Sequence, residues 1–530
     1  MLRDYKDGLT IIKELLQNAD DAEATELNIC YDARTHTRDA SKLFFEGMVS
    51  CHGPALVVHN NKPFTKSDFE NITKLGGATK RNEPLKIGKF GVGFNSVYHI
   101  TDIPSFVSCD MLYVFDPTLK YLEKEIQDPA RPGKKVKTSS WVIVHSKQLD
   151  PYTGLFGYEA GKPYQGTIFR FPFRTHHSEL SSTFYSEKTI NELRQTIRKA
   201  GSKILLFLQN IKYITFQQIR QGEGSPTCLL KITKSDTKLP SSSARMVKVT
   251  CRSFHPVQST SEECWLLVDT HDDNKGKYST ASVACLLEGS ISQYIPRKVE
   301  GEIFCYLPLS LKTGLPVHVS SNFAVMSNRT GIWSSDEATT KTDHEVQWNT
   351  KLMSSVIPDA YYKLLMTLQL LHSKKMLQDY VFHSLWPLES KLHIHNPWCV
   401  AVDSLYNKIQ ASNLFYSDTT RQWLKIAKGI LLSRQILNRS STELSVPKCV
   451  RAIVQHLQLP IVDLPCEYHH HLMLGHSLLN EQRFVNLFFK HIASLSNIQK
   501  SRNEVLVCMF EIHAIEYDKQ SGRALSLIHI

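Results

Sequence analysis

The spacing of apolar and polar positions at the start of the chain predicts a helix followed by two strands. In IIKELLQNADDA, residues 11–22, apolar side chains recur at helical spacing and form one broad flank. The segments TELNICYD and PALVVHNN alternate or run apolar as strands do. Glu14, Asn18 and Asp21 fall together on the polar edge of the helix, although Asn and Asp weaken a helix interior. That edge is either a solvated face or a site.

The pattern downstream predicts further helices and strands without a regular order. FTKSDFENITKLGG has the pattern of a capped helix, and a glycine-rich segment at 88–93 leads into a short helix at about 94–99. SFVSCDMLYVFD and GTIFRFPFR are typical of strands, and the second places Thr167 and Phe169 on one face. Because no steady β-α-β rhythm is visible, we predict an α+β fold, with a mixed sheet and helices on one face, over a parallel doubly wound fold.

Changes in pattern along the chain indicate four segments. A polar stretch, RTHHSELSSTFYSEK, separates the first region from a helix capped near Ser186. We predict a first α/β domain at 1–178, a second at 179–345, a mostly helical region at 346–520 and an unstructured tail at 521–530. Both ends interrupt the pattern, and we therefore expect the chain to be part of a longer protein.

Composition argues against several classes of protein. The balance of 62 Lys and Arg against 51 Asp and Glu gives a net charge of +11, but no basic stripe is visible, so we expect no nucleic-acid partner. No apolar run approaches the ~18 residues that a membrane-spanning helix requires, and no signal sequence opens the chain. The 12 cysteines are far apart, which argues against a disulfide framework or a zinc ribbon. We expect a cytoplasmic protein with no membrane partner.

The segment KIGKFGVGFNSVYHI contains a candidate phosphate-binding turn. Gly88, Gly91 and Gly93 form a G-x-x-G-x-G pattern before an apolar helix start. Glycine allows close approach of the backbone to a phosphate, and exposed N–H groups at a helix start favour an anion. The pattern is neither a P-loop nor a Rossmann fingerprint, and by itself it is equally typical of a structural turn.

The order of these motifs resembles the GHKL superfamily, which includes gyrase, ninety-kilodalton heat-shock chaperones, histidine kinases and MutL. An E-x-x-x-N-x-x-D-A helix, an apolar strand with a polar end, G-x-x-G-x-G and a strand beginning Gly-Thr follow one another. The stretches DGLTIIKELLQNADDAEATEL, GPALVVHNNKPFT, GKFGVGFNSVYHITDIPSFVS and FCYLPLSLKTGLPVHVSSNFAVMSNR are similar, more narrowly, to the Sacsin/Nov family. The resemblance covers about residues 1–345 and implies a GHKL, or Bergerat, two-layer α/β sandwich at 1–178, followed by a middle-domain-like α/β domain.

The resemblance implies ATP and Mg²⁺ as cofactors and assigns roles to the helix residues. Glu14 matches the general base that orients and deprotonates the attacking water, a role typically worth ~10²–10⁴-fold in rate. Asn18 matches the residue whose amide oxygen holds Mg²⁺. Asp21, one turn further on, matches a residue that shapes the nucleotide pocket.

Further residues match the phosphate and base contacts of the superfamily. The phosphate cradle is matched by Gly88, Gly91, Gly93 and the N–H of Phe94. Thr167 matches a threonine hydroxyl beneath the adenine, and Arg329 of SNRTGIW matches a middle-domain arginine that reaches the γ-phosphate. Asn60 or Asn61 stands where most of the superfamily has the aspartate that reads adenine, and the segment ATKRNEPLKI forms a short lid.

These matches and departures predict a chaperone-like or co-chaperone-like module that binds Mg-ATP with slow or no hydrolysis. An amide oxygen can accept the adenine hydrogen bond but without charge assistance, which weakens the contact by ~1 kcal/mol. A nucleotide-blind scaffold for protein quality control is the alternative. The resemblance also implies partners in the heat-shock chaperone system and among client or cytoskeletal proteins.

Overall fold

The computed structural model describes residues 8–72, 93–129, 132–140, 145–239, 243–274, 277–290, 293–326, 331–334, 343–388, 397–437 and 446–491. The chain divides into two compact units. The N-terminal unit comprises Met1–Leu287, Glu302–Lys312 and His318–Leu352. The C-terminal unit comprises Glu288–Gly301, Thr313–Val317 and Met353–Ile530. The predicted boundary at residue 178 falls inside the N-terminal unit, and the predicted division into four segments stays a prediction.

The described residues form helices and strands in both units. The helices are α1 (Gly8–Asp21), α2 (Lys66–Ile72), α3 (Glu187–Ala200), α4 (Asp343–Lys351), α5 (Ile357–Ser373), α6 (Cys399–Gln410), α7 (Arg434–Leu437), α8 (Val446–His456) and α9 (Glu481–Lys490). The strands are β1 (Glu26–Asp32), β2 (Ala55–Asn60), β3 (Ser105–Cys109), β4 (Met111–Phe115), β5 (Gly133–Lys137), β6 (Tyr164–Pro172), β7 (Tyr213–Ile219), β8 (Thr227–Lys238), β9 (Ala244–Ser253), β10 (Ser259–Asn274), β11 (Lys277–Glu288), β12 (Ile295–Arg297), β13 (Glu302–Cys305), β14 (Leu307–Lys312), β15 (His318–Ser321), β16 (Phe415–Ser417), β17 (Gln422–Leu424), β18 (Leu431–Leu432) and β19 (Leu478–Leu479).

One large mixed sheet organises the N-terminal unit. Its hydrogen-bonded strands follow the order β14-β13-β15-β11-β10-β9-β8-β7-β1-β2-β6-β3-β4-β5. Most neighbours are antiparallel, but β1 pairs with β7 in parallel and β13 pairs with β15 in parallel. The predicted mixed α/β character with a large sheet is confirmed. Because β7 lies beyond residue 178, the sheet continues across the predicted first boundary.

Helix α1 forms where the apolar spacing predicts it. Ile12, Leu15, Leu16 and Ala19 are each at most 4% exposed, and burying one Leu or Ile side chain contributes about 1.5–3 kcal/mol. The helix packs against the segment Gly93–His99 and against α3. That segment is a 3₁₀ helix in the structure.

The sheet is covered on both faces in its first half. Register places Leu27, Asn60 and Thr167 side by side on one face, and that face meets the segment Gly93–His99 through Phe94 and Phe169. The opposite face belongs to a second core. This core combines strand residues with residues from the connecting segments: Cys30, Val57, Val107, Ile168, Phe45, Met48, Leu122, Leu149 and Leu155. A further layer of short 3₁₀ turns and irregular chain therefore adds to the two layers that the resemblance implied.

Helix α3 begins at the predicted cap. The hydroxyl of Ser186 accepts a hydrogen bond from the N–H of Thr189, as an N-cap does. Ile190, Leu193 and Ile197 are buried along one side of the helix. Local sequence signals therefore locate this helix correctly.

The C-terminal unit mixes helices with short strands in its described residues. A core around α7, α8 and α9 includes Ile436, Val450, Val454, Phe484 and Phe488. Strands β16 and β17 pair antiparallel, and β18 pairs with β19 in parallel. The mostly helical character predicted from residue 346 onward stays a prediction. Within the described residues, no helix is both long enough and apolar enough to span a membrane.

Candidate functional site

The structure describes most of the residues that the sequence singles out. Those described are Glu14, Asn18, Asp21, Asn60, Asn61, Gly93, Phe94 and Thr167. Gly88, Gly91, Arg329 and the lid segment lie outside the described residues. The geometry that follows concerns the described set.

The acidic and amide side chains of α1 differ in exposure. Glu14 is 3% exposed, whereas Asn18 and Asp21 are half-buried. Residues four and seven positions apart lie on one side of an α-helix, so the three side chains share an edge. This edge is more enclosed than a solvated face, because Gln17 and Asp20 beside it are also buried.

The segment Gly93–His99 brings the predicted phosphate-binding residues next to α1. It packs directly against the helix that carries Glu14 and Asn18. The ring of Phe94 is 5.8 Å from the rings of both Phe115 and Phe169, which anchors the start of the segment to the sheet. The structure therefore brings α1, Phe94 and the face of β6 together.

On the strand side, Asn60 and Thr167 are direct neighbours. They are register partners between β2 and β6, and Thr167 is fully buried. The hydroxyl of Thr167 donates to the carbonyl of Lys62 at 2.8 Å and lies 3.0 Å from the hydroxyl of Ser108. The side-chain oxygen of Asn60 accepts from the N–H of Lys62 at 3.0 Å. Both predicted base-contacting groups thus bond to the turn that follows β2.

Asn61 is held by a different partner. Its side-chain oxygen accepts from the N–H of Thr25 at 2.9 Å, and its amide donates to the hydroxyl of Thr25 at 2.7 Å. These two bonds tie the end of β2 to the residue before β1. Of the two asparagines, Asn60 is therefore the one beside Thr167, and Asn61 has both ends of its amide engaged.

The close approach of β2 explains the glycine at position 166 of β6, directly before Thr167. A Cβ atom on Gly166 would lie 2.9 Å from the carbonyl oxygen of Asn60 and 3.1 Å from Nε2 of His59. Contacts this short with a backbone atom are not tolerated without movement. The glycine is required by the close approach of β2 to β6, next to the candidate base-contacting residues.

Burial and neighbouring charges shift the pKa values of groups on the opposite face of these strands. Burial lowers the pKa of His59 to about 4, and its ring stacks on Phe156 with centroids 4.7 Å apart. Burial alone would raise the pKa of Asp32, but His36, 3.6 Å away, and hydrogen bonds from Arg34 lower it to about 2. A neutral His59 and an ion-paired Asp32 therefore lie on the face of the strands opposite to Asn60 and Thr167.

Two structural residues escape the sequence analysis. Asp20 is 4% exposed and accepts hydrogen bonds from the N–H groups of Gln209, Asn210 and Ile211 at 2.7–3.1 Å. An acidic residue in the last turn opposes the helix dipole, and that signal could have indicated an external partner. Arg174, in the stretch interpreted as a separator, binds Asp102 in a buried ion pair. No local pattern indicates that pairing.

An open depression of about 730 Å³ lies elsewhere, on the polar face of α3. It is lined by Glu187, Lys188, Asn191, Glu192, Gln195, Thr196 and Lys199. None of these is a predicted site residue. This open surface, formed by the solvated side of one helix, lacks the concave enclosure of a ligand site.

Comparison with known sequences gives consistent matches. A family model for the Sacsin domain matches residues 1–231. Human sacsin is 30% identical, in an alignment that covers 93% of this chain and 13% of that protein. Protein NO VEIN of Arabidopsis thaliana is 23% identical over 66% of this chain and 11% of that protein. The chain therefore spans a small part of the length of these curated relatives.

Comparison with solved structures is less informative. The B subunit of DNA gyrase from Myxococcus xanthus matches with a TM-score of 0.23 and 6% sequence identity. The match covers 46% of this chain and 61% of that chain. An overlap this low carries no argument about the fold.

Proposed function

Because residues 1–231 belong to the Sacsin domain family and similarity to sacsin extends along nearly the whole chain, we propose that this protein is a chaperone-like or co-chaperone-like module that binds Mg-ATP with slow or no hydrolysis. One observation carries the proposal. Helix α1, with Glu14 and Asn18, packs against the segment that begins at Gly93, and this segment contacts the sheet face that bears Thr167.

The phosphate end of the site is chemically suited to a magnesium nucleotide. Asn18 is half-buried, and amide oxygens are among the hard ligands that Mg²⁺ accepts. Asn18 would hold the ion, which would neutralise phosphate charge. Glu14, on the same edge and almost fully buried, would orient and deprotonate a water molecule. The N–H groups at Gly93 and Phe94 would contact phosphate oxygens.

The base end is less well suited to adenine. The amide of Asn61 is bonded to Thr25 at both ends, and the hydroxyl of Thr167 is bonded to the carbonyl of Lys62. Asn60 is the remaining candidate for the adenine contact. Its oxygen already accepts from the N–H of Lys62, and a neutral amide lacks the charge assistance that an aspartate gives. We infer that phosphate and Mg²⁺ contacts supply most of the affinity, and that turnover is slow.

These same internal bonds favour the alternative function, a nucleotide-blind scaffold in protein quality control. In that case α1 and the sheet keep an inherited architecture, and the described polar groups serve stability. We also propose, on the family resemblance alone, a cytoplasmic location and partners in the heat-shock chaperone system and among client or cytoskeletal proteins, with no nucleic-acid or membrane partner.

Calorimetric titration with Mg-ATP and Mg-ADP tests the proposal. We expect the wild type to bind at micromolar levels, Asn18→Ala to raise Kd about 10-fold, equivalent to about 1.4 kcal/mol, and the loss to depend on Mg²⁺. Glu14→Gln should remove any turnover with little change in Kd. Gln195→Ala, on the solvated face of α3, is the control. Folded wild type that gives no heat at millimolar nucleotide would favour the scaffold.

A further inference from the structure

Arg174 is fully engaged just after the end of β6. Its side chain is 1% exposed. The Nε and Nη2 groups donate to one carboxylate oxygen of Asp102 at 2.9 and 2.7 Å. Nη1 donates to the carbonyls of His99 and Thr183 at 3.2 and 2.9 Å, and Nη2 also donates to the carbonyl of Tyr98 at 2.8 Å. All five guanidinium N–H groups are thereby satisfied.

Two of these acceptors, the carbonyls of Tyr98 and His99, belong to the last two residues of the segment Gly93–His99. The last carbonyls of a helix have no partner within the helix, and a cationic side chain can satisfy them. Tyr98 and His99 end the segment, and Asp102 follows it by three residues. Arg174 therefore fixes the end of the segment through its backbone and through the adjoining carboxylate.

The stretch after β6 strengthens the same attachment. The hydroxyl of Ser178 donates to the carboxylate oxygen of Asp102 that Arg174 binds, at 2.6 Å. The hydroxyl of Ser178 also accepts from the N–H of Leu180 at 3.2 Å. The polar stretch is thus folded onto residues 98–102 and does not act as a loose separator.

We propose that Arg174 is a positioning residue for the candidate nucleotide site. It holds the segment Gly93–His99 in place against α1, and so sets the affinity for the phosphates of a magnesium nucleotide. The inference rests on the proposed function, because Gly93 and Phe94 at the start of the segment are the predicted phosphate contacts.

The length of the segment explains how a contact at one end affects the other. The segment is a seven-residue 3₁₀ helix about 14 Å long, and i→i+3 hydrogen bonds connect its end to its start. Displacement of a positioned group by about 1 Å can weaken a phosphate contact strongly, as it does in catalysis. Among the described residues, the hydrogen-bond partners of Arg174 include no predicted nucleotide contact, so its effect there is through position.

Lysine cannot replace this guanidinium. The planar fork of Arg174 reaches two carbonyls of the segment, a third from Thr183 and one carboxylate at once, whereas a lysine head group is a single point with three donors. Arg174→Lys keeps the buried charge opposite Asp102 but loses part of the backbone attachment. It is therefore the informative variant, and Ser178→Ala is a milder one.

The experiment compares wild type, Arg174→Lys, Ser178→Ala and Arg220→Lys in the full chain. Arg220 forms an exposed ion pair with Glu187 and is the matched arginine control. Hydrogen–deuterium exchange is followed for amides 93–102 and, for comparison, for the amides of the described strands. Kd is measured by titration with Mg-ATP. We expect Arg174→Lys to raise Kd about 10-fold and to speed exchange at 93–102 only, Ser178→Ala to do both to a smaller degree, and Arg220→Lys to do neither.

The outcomes separate a positioning role from general stability. Unchanged Kd in folded Arg174→Lys overturns the inference, and so does faster exchange spread evenly over the sheet. Should Arg174→Lys not fold, Ser178→Ala decides by the same two readouts. Wild type that binds no nucleotide overturns the proposed function. In that case the exchange at 93–102 still decides whether Arg174 holds the segment.

Discussion

Asp20 and Asp21 are adjacent acidic residues in the last turn of α1, and their surroundings differ. Asp20 is buried and accepts hydrogen bonds from three backbone N–H groups near residue 210, whereas Asp21 is half-buried. Hydrogen bonds to a charged acceptor are each worth about 1.5–3 kcal/mol, which offsets the cost of burying the carboxylate. The same residue type therefore binds three backbone N–H groups at position 20 and lies on the predicted site edge at position 21.

The buried ring of His59 predicts how the free energy of unfolding depends on pH. Its pKa is about 4 in the folded chain against an ordinary value of 6.5, because burial disfavours the charged ring. Between these values the unfolded chain binds more protons, so stability is full above about pH 6.5 and falls as pH drops towards 4, by about 3 kcal/mol. Urea unfolding at pH 7.5, 5.5 and 4.5 measures this slope.

The control for this prediction is a variant of an exposed histidine, and a second buried histidine contributes to the same slope. His59→Gln should flatten the slope, while His176→Gln, at an exposed position, should not. His318 is buried and its pKa is lowered in the same direction, so part of the slope remains in His59→Gln. A slope unchanged in His59→Gln would show that this ring titrates normally in the folded chain.

At the scale of elements, helices and strands form where their local signals predict, and their contacts fix what they can do. The apolar flank of α1 and the cap of α3 at Ser186 follow from spacing and from one hydroxyl. The close approach of β2 and β6 depends on Gly166. Strand pairing there also sets Asn60 beside Thr167.

Gly166→Ala is therefore predicted to destabilise the N-terminal unit. The added methyl group would meet the backbone oxygen of Asn60, which cannot rotate away, and overpacking of this kind costs about 1–3 kcal/mol. Gly224→Ala is the matched control, because a Cβ there meets nothing within 4 Å. Denaturant unfolding measures both variants. Equal stability of the two would mean that β2 and β6 can separate without loss.

For the whole chain, long-range pairing decides which parts form one cooperative unit. β1 pairs in parallel with β7, and Asp20 at the end of α1 binds the backbone just before β7. Parallel pairing of this kind buries a strand between two neighbours. The region 1–178 therefore has an exposed strand edge when it is cut from the rest of the sheet.

A truncation at residue 178 tests this dependence. We expect fragment 1–178 to unfold without a cooperative transition, because β1 loses its partner β7 and Asp20 loses its three donors. Fragment 1–352, which keeps the whole sheet, should unfold cooperatively. Thermal unfolding followed by circular dichroism compares them. A cooperative transition in 1–178 would instead support the predicted first domain as an independent unit.

Local signals along the chain locate several of the helices and strands and supply the residue types available to the site. Apolar spacing located α1, alternation located β1 and β6, a short apolar run located β2, and Ser186 marked the start of α3. These signals act between residues within a few positions of each other. The motif resemblance also selected Glu14, Asn18 and Thr167 as candidates. Their proposed chemistry awaits the titration.

Which of these groups form hydrogen bonds within the protein depends on the tertiary structure. Asp20 meets Asn210 across 190 positions, and Arg174 meets Tyr98 across 76, so no local pattern records either contact. Asn60 and Asn61 are adjacent in the chain, yet the first lies beside Thr167 and the second is held by Thr25. The physical reason is that strand register and packing set the partners of a side chain, whereas sequence spacing sets only the side to which it points.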